Sequence, residues 1–448
     1  MGIGLATASV WAEAAPTAQA AAAPLILSES LTVKPEGGRN PTVAACPRSR
    51  AVYLAWAQEV PGTVPQGKDG KKADPRLEVR IARSDDGGRS FAPPVVASAQ
   101  GDRVESYTVS PTQVAVGPKG EVYVLYSHHD PEFKPVGWEW GRSVLRLVRS
   151  EDGGKHFSAP VEIATESVEG VQTSVGMLNL FSAPDGDLYA SFLDYREDLA
   201  YRIASGKEPP KDQEPPTQLR VARSTDGGRS FGPSTLVSKP TCGCCGTKVA
   251  QGVGGPLYAT TRGQWQELKG SVDAVRDHFV AVSRDGGTNW SEPVKFHDDR
   301  FKISGCPDIS PGLAVDSKGR LHAAWYTGSE RHPGVFYARS DDEGKGFSEP
   351  IALLSDDWIP YGDVKLALDT KDYAWVAFED RRGDEDLIQI AMIAPDGRRV
   401  LSQAWPGTAP DVAAEGDTAI VAWGTKGQGD EEAGGGISTG VISLPESP

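Results

Sequence analysis

One nine-residue phrase constrains this chain more than any other feature. "RSDDGGRSF" runs from Arg83 to Phe91, and near copies return as "RSEDGGKHF" from Arg149 and "RSTDGGRSF" from Arg223. The common form is Ser-x-Asp-x-Gly-x-x-aromatic, held by Ser84, Asp86, Gly88 and Phe91, then Ser150, Asp152, Gly154 and Phe157, then Ser224, Asp226, Gly228 and Phe231. Two further copies use Ser283, Asp285, Gly287 and Trp290, and Ser340, Asp342, Gly344 and Phe347. Each copy ends an alternating stretch such as "LEVRIARS" and precedes a short apolar one such as "PPVVAS", which reads as strand, tight turn, strand. The Asp accepts backbone amides within the turn, the glycines supply positive φ, and the aromatic anchors the hairpin. These aspartates read as structural, although their spacing superficially suits a metal.

A second repeat alternates with the first. "PTVAACPRSRAVYLAWA" from Pro41, "PTQVAVGPKGEVYVLYS" from Pro111, "LNLFSAPDGDLYASFLD" from Leu178 and "TKVAQGVGGPLYATTRG" from Thr247 share strand, turn and strand. "PGLAVDSKGRLHAAWYT" from Pro311, "DVKLALDTKDYAWVAFE" from Asp363 and "PDVAAEGDTAIVAWGTK" from Pro410 continue the series. Each unit is a four-stranded meander, and such units arrayed about an axis make a β-propeller. The expectation is an all-β, seven-bladed propeller, with six blades as the alternative if 410–448 is an appendage. The last unit has room for three strands, and "APLILSESLTV" from Ala23 supplies a fourth that closes the ring and removes an exposed edge.

Charge and cysteine content bound the function. The formal net charge of −15 and the lack of a basic cluster exclude nucleic acid as a partner. No run of eighteen apolar residues is present, which excludes a transmembrane helix of ordinary length. Residues 1–22 are Ala-rich with a small-x-small site at Ala18, Gln19 and Ala20, and resemble an export signal preceding a single domain over 23–448. The expected location is the periplasm or the exterior, and the expected state is a monomer.

The five Ser-x-Asp-x-Gly-x-x-[Phe/Trp] phrases resemble the Asp-boxes, or BNR repeats, of the sialidase superfamily. That resemblance implies a propeller and raises the prospect of a glycoside hydrolase. Members that cleave sialic acid use three arginines for the sugar carboxylate, a Tyr nucleophile paired with a Glu, and an Asp acid/base. A planar guanidinium matches a carboxylate, and a neutral phenol avoids a second anion beside it. The resemblance carries over to Arg39 in "GRNP", Arg262 in "GGPLYATTRG", Arg331 in "SERHPGVFYARSDDEG" and Tyr361 in "WIPYGDVKLALD", with Asp69 or, preferentially, Asp74 in the acid/base loop. The chain departs from the pattern where the Glu belongs. Fifteen residues before Arg262 stands Thr247, which leaves Tyr361 without its base.

Near that position lies "KPTCGCCGTKVA", with Cys242, Cys244 and Cys245, and "SGCPDISPG" adds Cys306 ahead of the next blade. Loops that lead into the inner strands of neighbouring blades share one face near the axis, so these four thiols are expected to meet. The remaining Cys46 ends an inner strand and belongs deeper or on the opposite face. Three readings stand: a disulfide from Cys306, a soft-metal site for Cu(I) or Zn(II), and a reactive thiol. His128 and His129 in "YSHHDPEF" are candidate additional ligands, and His332 beside Arg331 stands in a comparable loop. The C-x-C-C and C-P-D pair also resembles a group of BNR-repeat proteins, to which no activity attaches. The leading expectation is an exported propeller with a thiol-rich axial site. The alternatives are an exo-sialidase or related glycosidase, and a propeller that only binds a glycan or protein.

Overall fold

The computed structural model describes residues 27–33, 37–62, 75–134, 141–210, 215–265, 274–303, 305–426 and 434–443. The proposed leader at 1–22 and the acid/base candidates Asp69 and Asp74 lie outside the described residues. Seven antiparallel sheets of four main strands form the architecture, and each runs from an inner strand outward. The inner strands Gly38–Ala45, Gln113–Val116, Val175–Ser182, Lys248–Gln251, Gly312–Val315, Val364–Leu368 and Thr408–Glu415 neighbour one another in that order around the axis. The last returns to the first, so the ring is closed. The seven-bladed expectation therefore holds and the six-bladed alternative falls.

Closure uses the strand read from the sequence. Leu27–Val33 pairs antiparallel with Gly434–Ser443 and becomes the outer strand of blade seven, joining the two ends of the propeller by main-chain hydrogen bonds.

The repeated phrase builds the same turn each time. In the first copy, Asp86 Oδ1 accepts the N–H groups of Arg89 at 3.0 Å and Ser90 at 2.9 Å, together with the Ser84 hydroxyl at 2.7 Å. Ser84 Oγ in turn accepts the Gly88 N–H at 2.8 Å, so this tight turn satisfies its own donors. Gly88 has a φ of +85°, and a Cβ there would meet Ile420 Cγ2 of the preceding blade at 2.9 Å, so both conformation and contact demand glycine. The aromatic does more than anchor its own hairpin. Phe157 packs into the core shared with blade one, and Trp290 into the core shared with blade three. Each box is therefore a wedge between blades.

The seven cores lie between successive sheets, where buried faces meet. Trp375 and Ala377 of blade six pack with Val421 and Trp423 of blade seven. Fully buried Trp56, Trp325 and Trp375 each donate the indole N–H to a side-chain oxygen, at 2.9, 2.8 and 3.0 Å respectively, so none of these three ring nitrogens is stranded.

Two strand directions follow from the meander. The Ser-x-Asp-x-Gly turns and the first hairpins of the blades lie on one face. The blade-to-blade connections and the loops between second and third strands lie on the other. Among the described residues the one α-helix, Arg196–Ser205, is an insertion in such a loop of blade three and sits on the connection face. No described helix is long and apolar enough to cross a membrane.

Candidate metal centre

The stretch Cys242–Gly246 links the outer strand of blade three, Thr235–Thr241, to the inner strand of blade four, Lys248–Gln251. Its path is fixed at both ends. The Cys242 N–H donates to Arg262 O at 2.9 Å and the Gly246 N–H to Ile309 O at 3.3 Å. Tyr195 Oη donates to Gly243 O at 2.8 Å, and the Thr261 hydroxyl to Gly246 O at 3.0 Å. A Cβ on Gly246 would fall 1.9 Å from Ser310 Oγ, so that residue lets the cysteine loop touch the next blade.

These restraints gather the sulfurs. Cys244 Sγ lies 3.6 Å and Cys245 Sγ 3.5 Å from Cys242 Sγ. Thiolates around a single tetrahedral zinc, with Zn–S near 2.3 Å, stand about 3.8 Å apart, so the spacing is close to that of a ligand set. Cys306 and Asp308 arrive on the connection from blade four to blade five. Their donor atoms and Cys244 Sγ lie within 4.8 Å of one another. Cys242 and Cys245 are fully buried, Cys244 is half-buried and Cys306 is exposed, so the cluster has a closed floor and an open rim. All five cysteines are free thiols, and Cys46 is buried on the opposite face, its N–H bonded to Ala51 O across a hairpin turn at 2.8 Å.

The electrostatics single out Cys242. Hydrogen bonds from the Cys244 and Cys245 thiols hold it well below the ordinary thiol range, and the Arg276 charge adds to them while burial opposes. Arg276 Nη1 donates to Cys242 Sγ at 3.1 Å. Cys244, hydrogen-bonded to the neighbouring sulfurs, is pushed far up, and burial followed by the hydrogen bond to Cys242 pushes Cys245 up to about 12. Cys306 is lowered by the bond from Cys244. A buried thiol approached by two others and by a guanidinium is a soft-ion donor set.

Sequence reasoning missed Arg276 and Asp308. Arg276 stands 31 residues after Cys245 and reaches the cluster only because blade four folds back on itself. Asp308, two residues after Cys306, carries no ligand spacing of its own to mark it.

The other candidates are distributed differently. His128 Nδ1 accepts the Arg103 N–H at 3.0 Å, and His129 Nδ1 lies 3.2 Å from Glu105 Oε1. Both are thus engaged within blade two, and among the described residues neither joins the sulfurs. The antiparallel pairing that ends their strand explains this, since Val104–Glu105 runs alongside and supplies their partners. Arg39 pairs with Glu59. Arg262 is buried, donates to Arg276 O at 2.6 Å and Tyr326 O at 2.9 Å, and stacks on Phe301 at 5.1 Å. Arg331 and Tyr361 are exposed. Thr247, where the carboxylate is missing, shares a hydrogen bond with Ser191 at 2.8 Å and donates to Met177 O at 2.9 Å. Glu379 packs against Gly362 beside Tyr361, yet its two oxygens accept the N–H groups of Ala409 and Asp363 at 2.6 and 3.1 Å.

No family model and no curated protein matches the chain. Solved structures do match. A protein of unknown function from Dyadobacter fermentans superposes with a TM-score of 0.51 at 12% identity, over 94% of this chain and 100% of that one. The Hadza microbial sialidase Hz136 gives 0.50 at 14% identity, over 91% of this chain and 66% of that one. At such identities the likeness is one of fold.

Proposed function

We propose that this protein is an exported propeller that binds a soft metal ion, Cu(I) or Zn(II), through Cys242, Cys244 and Cys245, with Cys306 and Asp308 at the rim. The observation that carries the reading is the approach of two sulfurs to Cys242 at 3.5 and 3.6 Å beside a guanidinium. Thiolates select Cu(I) and Zn(II) over harder ions, and a nearby cation offsets the negative charge that several thiolates bring. Exposed Cys306 is the thiol that an incoming complex meets. Half-buried Cys244 bridges it to the floor, and the thiol protons leave to solvent as sulfur after sulfur takes up the ion. Export rests on the leader-like residues 1–22.

The test is metal analysis and a thiol count on anaerobically purified protein. About one sulfur-bound Cu(I) or Zn(II) per chain is expected on the stoichiometry of a single structural site, its thiolate-to-metal absorption lost in a Cys244→Ser, Cys245→Ser double variant and retained in Cys46→Ser. Protein free of metal at neutral pH, together with a disulfide mapped to Cys306, would overturn the reading.

A further inference from the structure

The connection that supplies Cys306 and Asp308 carries a second group of donors nearer its start. His297 Nδ1 lies 2.7 Å from Asp299 Oδ1. His332, delivered by the loop after Leu321–Thr327 in blade five, places Nε2 3.4 Å from the same oxygen. One donor atom from each of the three residues falls within 4.8 Å of the others.

The carboxylate between the rings is held rigidly. Asp299 Oδ2 accepts the indole N–H of buried Trp325 at 2.8 Å, and Asp299 O accepts the Ser329 hydroxyl at 2.6 Å. Ser329 O accepts the His332 N–H at 3.2 Å, so the loop tied to Asp299 through the Ser329 hydroxyl also fixes His332. A structural His–Asp pair needs one imidazole. Here imidazoles from two loops approach one carboxylate oxygen, and their side chains are 22% and 18% exposed while that of Asp299 is 4% exposed. The oxygen and His332 Nε2 are sheltered, while other parts of both rings are reachable from solvent.

We propose that His297, Asp299 and His332 form a second metal site, for a divalent ion of imidazole and carboxylate preference such as Zn(II) or Cu(II). Two imidazole nitrogens and one carboxylate make a borderline, sulfur-free donor set that discriminates against Cu(I), and three protein ligands leave a position for water or a partner's group. The Trp325 indole plays the part of an outer hydrogen bond that fixes a ligating carboxylate. Protons between the rings and Asp299 leave to solvent when the ion binds. The connection from blade four to blade five would then serve two sites of different softness on one face.

Titration with Co(II), followed by absorption spectroscopy, tests this independently of the thiol cluster. In the Cys244→Ser, Cys245→Ser variant one equivalent should bind with d–d bands and no thiolate charge-transfer band. Adding His297→Ala or His332→Ala should weaken that binding by about tenfold or more, the scale seen when support of a metal site is lost. Proton NMR of the Co(II)-loaded double variant should show two exchangeable, hyperfine-shifted imidazole N–H signals, a readout that needs no histidine substitution. Undiminished binding in folded His332→Ala protein, or the lack of any shifted imidazole signal, would overturn the site whatever becomes of the soft-metal reading.

Discussion

Arg276 donates a guanidinium N–H to Cys242 Sγ at 3.1 Å, and its own backbone N–H is bound to Phe301 O at 2.7 Å. The cation is thus anchored by the connection leading to Cys306 and aimed at the most acidic thiol of the cluster. A positive charge in a half-buried setting stabilises a neighbouring thiolate in either its free or its metal-bound form.

Arg276→Met should therefore weaken metal retention while every sulfur remains. The loss expected is about ten- to a hundredfold in affinity, the usual scale for a group that supports metal ligands from outside the ligand set. Competition with a chromophoric chelator measures it. Unchanged retention in a folded variant would show that the guanidinium is only a packing group.

The repeated Ser-x-Asp-x-Gly turn bears on stability alone. Ser224 is buried, accepts the Gly228 N–H at 2.9 Å and donates to Asp226 Oδ1 at 2.8 Å. Ser224→Ala leaves the Gly228 amide without its acceptor inside the wedge between blades. The cost should be about 1 to 3 kcal/mol, read from denaturant unfolding, with metal content untouched. A variant as stable as the parent would remove the structural account of the boxes.

Blade count and ring closure were legible in the sequence because both are written locally. Alternation, turn residues and the boxes recur within each unit, and "APLILSESLTV" is a strand in need of a neighbour. The meeting of Cys242, Cys244, Cys245 and Cys306 on one face followed from the same topology. Contacts between distant residues were not legible. Arg262 stands at a strand end, as a substrate-binding arginine would, but the carbonyls of Arg276 and Tyr326 that capture it come from other loops. The helix Arg196–Ser205 was missed because Leu199 is its one fully buried residue, which leaves no apolar stripe to read. His297 and Asp299 carry no recognisable spacing, since their partner His332 is contributed by the following blade.

Acid should unfold the propeller through its boxes. Asp86, Asp226 and Asp285 are each lowered to about 2. Burial opposes the shift at Asp86, where the Ser90 and Ser84 side chains drive it; the Ser230 side chain leads at Asp226 and the Asn289 N–H at Asp285. Folded values below an unfolded value near 3.9 mean that these groups contribute their full stability above about pH 4 and lose it as pH falls through about 2. The melting temperature should drop across that window, and the drop should be shallower in an Asp86→Asn, Asp226→Asn, Asp285→Asn variant. Equal slopes in the two proteins would assign acid unfolding to other carboxylates.

Arg262 decides between a binding propeller and a sialidase-like one. A carboxylate-binding arginine presents its fork to the substrate, whereas this guanidinium is 1% exposed and donates to the carbonyls of Arg276 and Tyr326 at 2.6 and 2.9 Å. Arg39, a second candidate, is engaged by Glu59, and Thr247, at the sequence position where the resemblance calls for a carboxylate, hydrogen-bonds Ser191 and Met177 O. A fluorogenic sialoside should therefore go unhydrolysed by the parent protein. Arg262→Ala should be destabilised by about 3 to 5 kcal/mol, because two carbonyls lose charged donors in a buried setting. Rapid hydrolysis by the parent, abolished in folded Arg262→Ala and in Tyr361→Phe, would reverse the assignment and make the buried guanidinium a substrate ligand that opens in solution.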